Sequence, residues 1–151
     1  MISPELVRRY PFFAGLNMEQ ITALAKAADE LSVEPGHYFF KEGEELRCFY
    51  IIHEGQVGIV VNLPSLGKEV VVSTLGPGDM FGWSALVPPY ETTAPAKAMT
   101  RCRVFCFDCR AIRAGFSQDW QFAYIMMERT AQIIRERLRD LRIESLAYAI
   151  A

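Results

Sequence analysis

The spacing of apolar residues divides the chain into three zones. Residues 1–29 carry apolar side chains at helical intervals, and residues 30–109 contain short apolar runs between glycine-centred turns. Helical spacing returns over residues 110–151. We therefore predict N-terminal helices, a β-roll and C-terminal helices in that order, within one domain because 151 residues suit a single core.

The N-terminal zone contains two signals for the start of a helix. Asn17 with Gln20 three residues later forms a capping-box pattern, and Ser3 followed by Pro4 resembles a cap with proline at the first helical position. One apolar face is expected after the second signal, made by Ile21, Leu24, Ala25 and Ala28. At least one amphipathic helix should precede the β-rich zone.

The central zone has the pattern of short strands and turns that is typical of an all-β fold. Its apolar runs are Tyr38–Phe40, Phe49–Ile52, Val57–Val61, Val70–Leu75 and Cys102–Phe107. Turn signals such as Glu54-Gly55 and Gly76-Pro77-Gly78-Asp79 recur at intervals of about 10 residues, which favours a barrel or sandwich over alternating strands and helices. The predicted fold class is mainly β, a double-stranded β-helix or jelly-roll-like β-roll with flanking helices.

The C-terminal zone predicts a short helix over Arg110–Gly115 and a long helix from Gln118. The long helix carries a stripe with steps of three and four residues, as a two-stranded coiled coil requires. We call this the a/d stripe, and its members are Tyr124, Met127, Ala131, Ile134, Leu138, Leu141, Ser145 and Tyr148. It predicts a parallel homodimer through residues 124–148.

Two further faces of the long helix are predicted. A second apolar stripe, made by Phe122, Met126 and Ile133, should pack on the β-roll. The charged residues are expected to form a solvated, ion-paired face, namely Arg135, Glu136, Arg137, Arg139 and Asp140.

Composition and charge narrow the function classes. The chain is 51% hydrophobic, which argues against intrinsic disorder, and its net charge of −2 gives no basis for bulk binding to nucleic acid or an acidic membrane. No apolar run approaches the ~18 residues needed to span a bilayer. The opening residues Met1–Glu5 lack a signal-peptide pattern, so we expect a cytoplasmic location without membrane association or direct nucleic-acid contact.

The cysteines and the remaining motifs do not indicate catalysis or a metal site. A structural metal site needs about four ligands, yet Cys102 and Cys106 share one face of a predicted strand while Cys109 points to the other. Together with Cys48 they are expected to be reduced thiols. Ser84 lacks the Gly-x-Ser-x-Gly context, and no phosphate-binding Walker motif occurs, so the chain is not expected to be an enzyme.

An ordered set of motifs resembles the cyclic-nucleotide-binding domain family. The motifs are Pro11–Leu16, Glu34–Gly36 with Phe39–Glu44, Phe49–Val57, and Leu75–Gly82. Members of this family form the sensor half of catabolite-activator and FNR-type regulators, kinase regulatory subunits and gated channels. The resemblance implies a β-roll sensor with a phosphate-binding cassette and a long C-terminal helix, here in a variant, stand-alone form without the regulators' helix-turn-helix.

The cassette departs from the family pattern at two positions. The family begins it with glycine and glutamate, and after a short helix continues with arginine, a small hydroxyl residue and alanine. Here Trp83 stands in place of the glutamate and Thr92 in place of the arginine. The ligand-binding residues implied by the resemblance are Gly82, Trp83, Ser84, Ala85, Thr92, Thr93 and Ala94.

These departures change the expected ligand. A charge-assisted hydrogen bond is worth about 1.5–3 kcal/mol, so losing the arginine should weaken binding of a cyclic phosphate. We expect weak binding of cyclic AMP and leave open a cyclic nucleotide such as cAMP or cGMP, or another small anion. Trp83 would either contact the ligand or fill the core, and the hydroxyls of Thr92 and Thr93 would either hold an anion or bond within a turn.

Two functions remain open at this level. The first is a ligand-sensing regulatory domain whose long helix shifts when the cassette closes on its ligand, within a transcription or signalling regulator. The second is a dimerisation or protein-interaction module of the same fold that binds no ligand. The sequence ends at Ala151, and it is compatible with a stand-alone sensor or with part of a longer regulator.

Overall fold

The computed structural model describes residues 1–150 of the chain, with side-chain surroundings given for residues 1–147. The side chain of Tyr148, the last position of the a/d stripe, and Ala151 lie outside this description. Within it, the helices are α1 (Pro4–Arg8), α2 (Met18–Lys26), α3 (Cys109–Phe116) and α4 (Trp120–Ile150). No helix among these combines the length and hydropathy needed to cross a bilayer.

Two antiparallel sheets form the β-roll. The strands are β1 (Ala28–Val33), β2 (Tyr38–Phe40), β3 (Cys48–Glu54), β4 (Val57–Leu63), β5 (Lys68–Leu75), β6 (Met80–Phe81), β7 (Ala96–Ala98) and β8 (Cys102–Asp108). The order of one sheet is β1-β8-β3-β6, and that of the other is β2-β7-β4-β5. This architecture confirms the predicted fold class, including all five predicted apolar strands.

The helical N-terminal zone is shorter than predicted. The capping box is confirmed, because Asn17 Oδ1 accepts from Gln20 N and Gln20 Oε1 accepts from Asn17 N, each at 2.9 Å. Ser3 occupies the N-cap of α1, but its side chain makes no capping hydrogen bond. β1 starts at Ala28, inside the zone predicted to be helical, and its Asp29–Ser32 segment, polar except for Leu31, is exposed at the sheet edge. An edge strand with polar side chains on both faces gives no apolar alternation to detect.

Aromatic rings join the N-terminal segment to the β1-β8-β3-β6 sheet. Phe49 of β3 and Phe107 of β8 are paired across the strands and stack at 4.8 Å between ring centroids. Phe13, from a short 3₁₀ turn, lies 5.2 Å from Phe107 and is fully buried. Phe122 and Met126 of α4 are buried in the same core, as predicted, and Ile133 is half-buried against it. The sheet thus provides a rigid base for α4.

The beginning of α4 is fixed by a side-chain cap. Asp119 Oδ1 accepts from Phe122 N at 3.0 Å, and its other oxygen accepts from Gln20 Nε2 at 2.9 Å. These bonds place the start of α4 at Trp120 rather than at the predicted Gln118. They also tie α4 to α2, so that the long helix is anchored at its first turn.

The charged face predicted for α4 is wrong at two positions. Arg137 Nη2 donates to the Met80 carbonyl at 2.7 Å, and Ser73 Oγ donates to Asp140 Oδ2 at 2.6 Å. Both side chains therefore face the roll rather than solvent. They continue the stripe that includes Ile133 at steps of four and three residues, and this spacing keeps them on the roll-facing side of the helix.

Candidate functional site

The cassette begins where β6 ends. Gly82 has a left-handed φ of +82°, and a Cβ at this position would lie 3.2 Å from the Leu46 side chain and 3.3 Å from the Cys48 carbonyl. The position thus needs glycine for both backbone conformation and space. A short 3₁₀ helix, Trp83–Leu86, follows directly and carries the next cassette residues along the roll surface.

A cavity of about 280 Å³ lies between the cassette, the β2-β7-β4-β5 sheet and α4. Most of its wall is apolar. The lining residues are Phe40, Ile59, Val61, Val72, Ser73, Phe81, Gly82, Trp83, Ser84, Thr93, Ala94, Ile134, Arg137, Leu138 and Leu141. Five of the seven candidate ligand-binding residues are among them: Gly82, Trp83, Ser84, Thr93 and Ala94.

The other two candidates, Ala85 and Thr92, stand behind the cavity wall. Thr92 is buried, and its hydroxyl donates to the Lys41 carbonyl at 2.5 Å and accepts from Glu44 N at 2.9 Å. Ala85 is fully buried, and its carbonyl accepts from Arg113 Nη1 at 3.2 Å. Both residues bond within the protein, and the Thr92 hydroxyl is already committed to the backbone of Lys41 and Glu44, which are distant in the sequence.

The cassette side chains that line the cavity carry two hydroxyls, on Ser84 and Thr93, and the indole N–H of Trp83. Ser84 is buried and Thr93 is exposed, and within residues 1–147 neither hydroxyl has a protein hydrogen-bond partner. Trp83 is half-buried, and its ring forms part of the wall. The third hydroxyl, that of Ser73, is bound to Asp140.

One cation lines this cavity, and it comes from α4. The Arg137 side chain is only 14% exposed, and its nearest carboxylate contact is 4.0 Å, from Nη1 to Glu136. Burial lowers the pKa of Arg137, while the nearby carboxylates of Asp79, Glu136 and Asp140 act in the opposite direction. Guanidinium groups stay protonated in proteins, so the cavity contains a positive charge.

Sequence reasoning missed this cation. The signal was present, because Arg137 follows the roll-facing Ile133 by four residues, but the surrounding charges made a solvated face the simpler interpretation. The charge that the cassette lacks at Thr92 is thus supplied by α4, in the cavity beside the cassette.

The a/d stripe lies partly against the cavity and partly in solvent. Ile134, Leu138 and Leu141 line the cavity rim, yet Leu138 remains 52% exposed and Leu141 42% exposed. Tyr124, nearer the start of the helix, is 66% exposed. The described part of the stripe is therefore neither fully packed on the roll nor fully free of it.

The four cysteines are free thiols. Burial raises the pKa of Cys106 and that of Cys109 to about 12. Within the part of the chain that the structure describes, no group of three or more His, Cys, Asp or Glu side chains is placed to hold a metal ion.

The comparisons with known proteins agree with the fold. The family described as cyclic nucleotide-binding domain matches residues 30–119. The CRP-like cAMP-activated global transcriptional regulator of Mycobacterium tuberculosis is 30% identical over 135 residues, covering 89% of this chain but 58% of the regulator. The chain therefore spans little more than half of that relative.

Two solved structures extend the comparison. A candidate cyclic nucleotide-binding protein from Geobacter metallireducens GS-15 has a TM-score of 0.80 at 30% identity and covers 91% of this chain and 99% of its own. The regulatory subunit of a cAMP-independent protein kinase A from Trypanosoma brucei has a TM-score of 0.69 at 28% identity, covering 85% of this chain and 45% of its own. With the family match over most of the β-roll, these relatives show that the chain belongs to the cyclic nucleotide-binding domain family, as a regulatory signal-transduction domain of the catabolite-activator and FNR type.

Proposed function

We propose that the chain is a non-catalytic, ligand-sensing regulatory domain, and that the cavity between the cassette and α4 binds a small anionic ligand. The observation that carries this proposal is the partly buried guanidinium of Arg137 in the cavity wall. A positive charge at a partly desolvated site favours an anion strongly, because few water molecules compete for its N–H groups. The unbonded hydroxyls of Ser84 and Thr93 supply further hydrogen bonds.

The proposed ligand contacts follow from the wall of the cavity. Gly82, Trp83, Ser84, Thr93 and Ala94 would touch the ligand directly. Ala85 and Thr92, named with them from the sequence, would act by holding the cassette in shape. This division separates variants that change affinity from those that change stability.

Tight binding of cyclic AMP is not expected. Trp83 removes the carboxylate that the family uses for the ribose, and Thr92 offers neither charge nor a free hydroxyl. One relative is described as the regulatory subunit of a cAMP-independent protein kinase A, which supports this expectation. The ligand is instead proposed to use Arg137, outside the cassette.

Arg137 also gives a route from ligand to helix. Its guanidinium bonds the Met80 carbonyl, and its backbone belongs to α4. A ligand that recruits this group would favour one position of α4 over another, which is the differential binding that a conformational switch requires. The proposed mechanism is therefore a shift of α4 coupled to occupation of the cavity.

We also propose that α4 pairs with a second copy of the chain through residues 124–148. Leu138 and Leu141 leave apolar surface in solvent beside the cavity, and a two-fold contact would cover it. The same exposed surface favours the second candidate function, a dimerisation or interaction module that binds no ligand. Direct contact with nucleic acid is not proposed, given the net charge of −2.

A thermal-shift screen distinguishes the two functions. Small anions, including cyclic AMP and cyclic GMP, are tested on the unaltered chain and on Arg137→Gln, with the exposed Arg139→Gln as matched control. A ligand at 100 times its Kd should add about 2.7 kcal/mol of stability. An anion that stabilises the chain and the Arg139 variant, but not the Arg137 variant, supports the sensor. Stabilisation by no anion supports the ligand-free module.

A further inference from the structure

The cavity is too apolar for a nucleotide. Ten of its fifteen lining residues have aliphatic or aromatic side chains, and none of the fifteen carries a carboxylate or a carboxamide. A nucleoside has sugar hydroxyls and a base edge that lose water on binding. Each such group left without a partner costs about 1–3 kcal/mol, so these walls disfavour a nucleotide.

The hydrogen-bonding groups of the cavity match a ligand that carries one charged group. Ser73 is committed to Asp140, which leaves the hydroxyls of Ser84 and Thr93, the indole N–H of Trp83 and the Arg137 guanidinium. A guanidinium has five N–H donors, and the Met80 carbonyl is the protein acceptor bonded to Arg137 Nη2. Enough donors remain for the two oxygens of a carboxylate. A second negative charge would have no cation in the same wall, so nothing would offset the free-energy cost of its desolvation.

We infer, building on the proposed sensor function, that the ligand is an organic monocarboxylate with an apolar aliphatic or aromatic body. Its carboxylate pairs with Arg137, and its body lies between Val61 and Val72 of the sheet and Ile134 of α4. The ring of Trp83 forms one side of the cavity. A volume of about 280 Å³ suits a small molecule of this kind, since it lies just below the range of about 300–1,000 Å³ that is typical of ligand pockets.

The test measures binding of matched probes by titration calorimetry. The apolar acids are decanoate, phenylbutyrate and naphthylacetate, and each is paired with the alcohol of the same carbon skeleton. Inorganic phosphate and cyclic AMP represent polar anions. At least one acid should bind tighter than its alcohol by about 10- to 150-fold, which is the affinity ratio for a charge-assisted bond of about 1.5–3 kcal/mol. Arg137→Gln should remove this ratio, and Arg139→Gln should keep it.

The outcomes separate the ligand class from the sensor function. If cyclic AMP or phosphate binds through Arg137 and exceeds every apolar acid, the inference is overturned and the proposed sensor stands. Equal affinity for acid and alcohol also overturns the inference, since the cation would then contribute nothing. If no probe binds, both the inference and the anion-sensing function are overturned, and the ligand-free module is favoured.

Discussion

Arg137 Nη2 donates a hydrogen bond of 2.7 Å to the carbonyl of Met80, and this contact joins the middle of α4 to the strand that leads into the cassette. One turn further along, Asp140 accepts from the Ser73 hydroxyl at 2.6 Å. These two bonds hold α4 against the β-roll, one at β6 and the other at β5. Any movement of the helix away from the roll must break them, so they set how firmly the helix is docked.

Asp140→Ala should loosen the far half of α4. The substitution leaves the buried Ser73 hydroxyl without an acceptor, at a cost of about 1–3 kcal/mol. We expect faster hydrogen exchange for amides of residues 134–147, with little change in β3 and β8. Asp140→Asn keeps an acceptor oxygen and serves as control. Equal exchange rates in the alanine variant and the unaltered chain would show that this bond does not dock the helix.

The contrast between Ile133 and Arg137 shows how far the sequence predicts the site. Apolar spacing was enough to place Phe122 and Met126 in the core, because burial of large side chains dominates helix packing. A charged residue at the next position of the same stripe is ambiguous. Whether it reaches solvent or a backbone carbonyl depends on the neighbouring strand, which local spacing does not specify.

The cassette also shows which contacts the sequence does not predict. Its glycine and short helix follow from the resemblance, and the structure gives Gly82 a left-handed φ and little room for a Cβ. The resemblance also implies that Thr92 is a ligand-binding residue. The structure instead commits its hydroxyl to Lys41 and Glu44, partners about fifty residues away in the chain that no local pattern indicates.

Thr92→Val should destabilise the fold. It leaves the Lys41 carbonyl without the Thr92 donor and the Glu44 amide hydrogen without the Thr92 acceptor, so the free energy of unfolding should fall by about 1–3 kcal/mol. Thr92→Ser keeps the hydroxyl and should retain most of the stability. Urea unfolding followed by circular dichroism measures both variants. A valine variant as stable as the unaltered chain would disprove the proposed structural role of this hydroxyl.

A double substitution, Leu138→Asp with Leu141→Asp, should convert a homodimer to a monomer. Burying one leucine contributes about 1.5–3 kcal/mol, and a charge at the same position instead opposes pairing. Multi-angle light scattering reports the mass, and circular dichroism verifies that the β-roll remains folded.

Ile143→Asp is the matched control for this experiment. Ile143 is 54% exposed and lies on a different face of α4 from the a/d stripe, so its substitution should leave the dimer intact. A monomeric mass for the unaltered chain at tens of micromolar would rule out the proposed pairing. Equal dissociation by the Ile143 variant would place the interface elsewhere on the helix.

Cys106 and Cys109 should react slowly with iodoacetamide in the folded protein. Their pKa values are raised by burial from 9.0 to about 12, so near pH 8 the thiolate population is about a thousandfold smaller than for an unshifted thiol. Both thiols also contribute stability that is complete below pH 9 and is lost as the pH rises toward 12, because the unfolded chain releases these protons first. Peptide mass spectrometry after timed alkylation, with and without urea, measures the difference. Equal rates in both conditions would refute it.

The most direct test of the account uses the emission of Trp83. The chain has two tryptophans, and Trp120 is 77% exposed, so Trp120→Phe leaves Trp83 as a reporter in the cavity wall at little cost. Titration with decanoate, followed by phenylbutyrate, should give a saturable change in its fluorescence with at least one acid, and adding Arg137→Gln should abolish that change. An emission that stays constant with both acids, phosphate and cyclic AMP, or a titration curve unaffected by Arg137→Gln, would contradict the claim that this cavity senses an anion through Arg137.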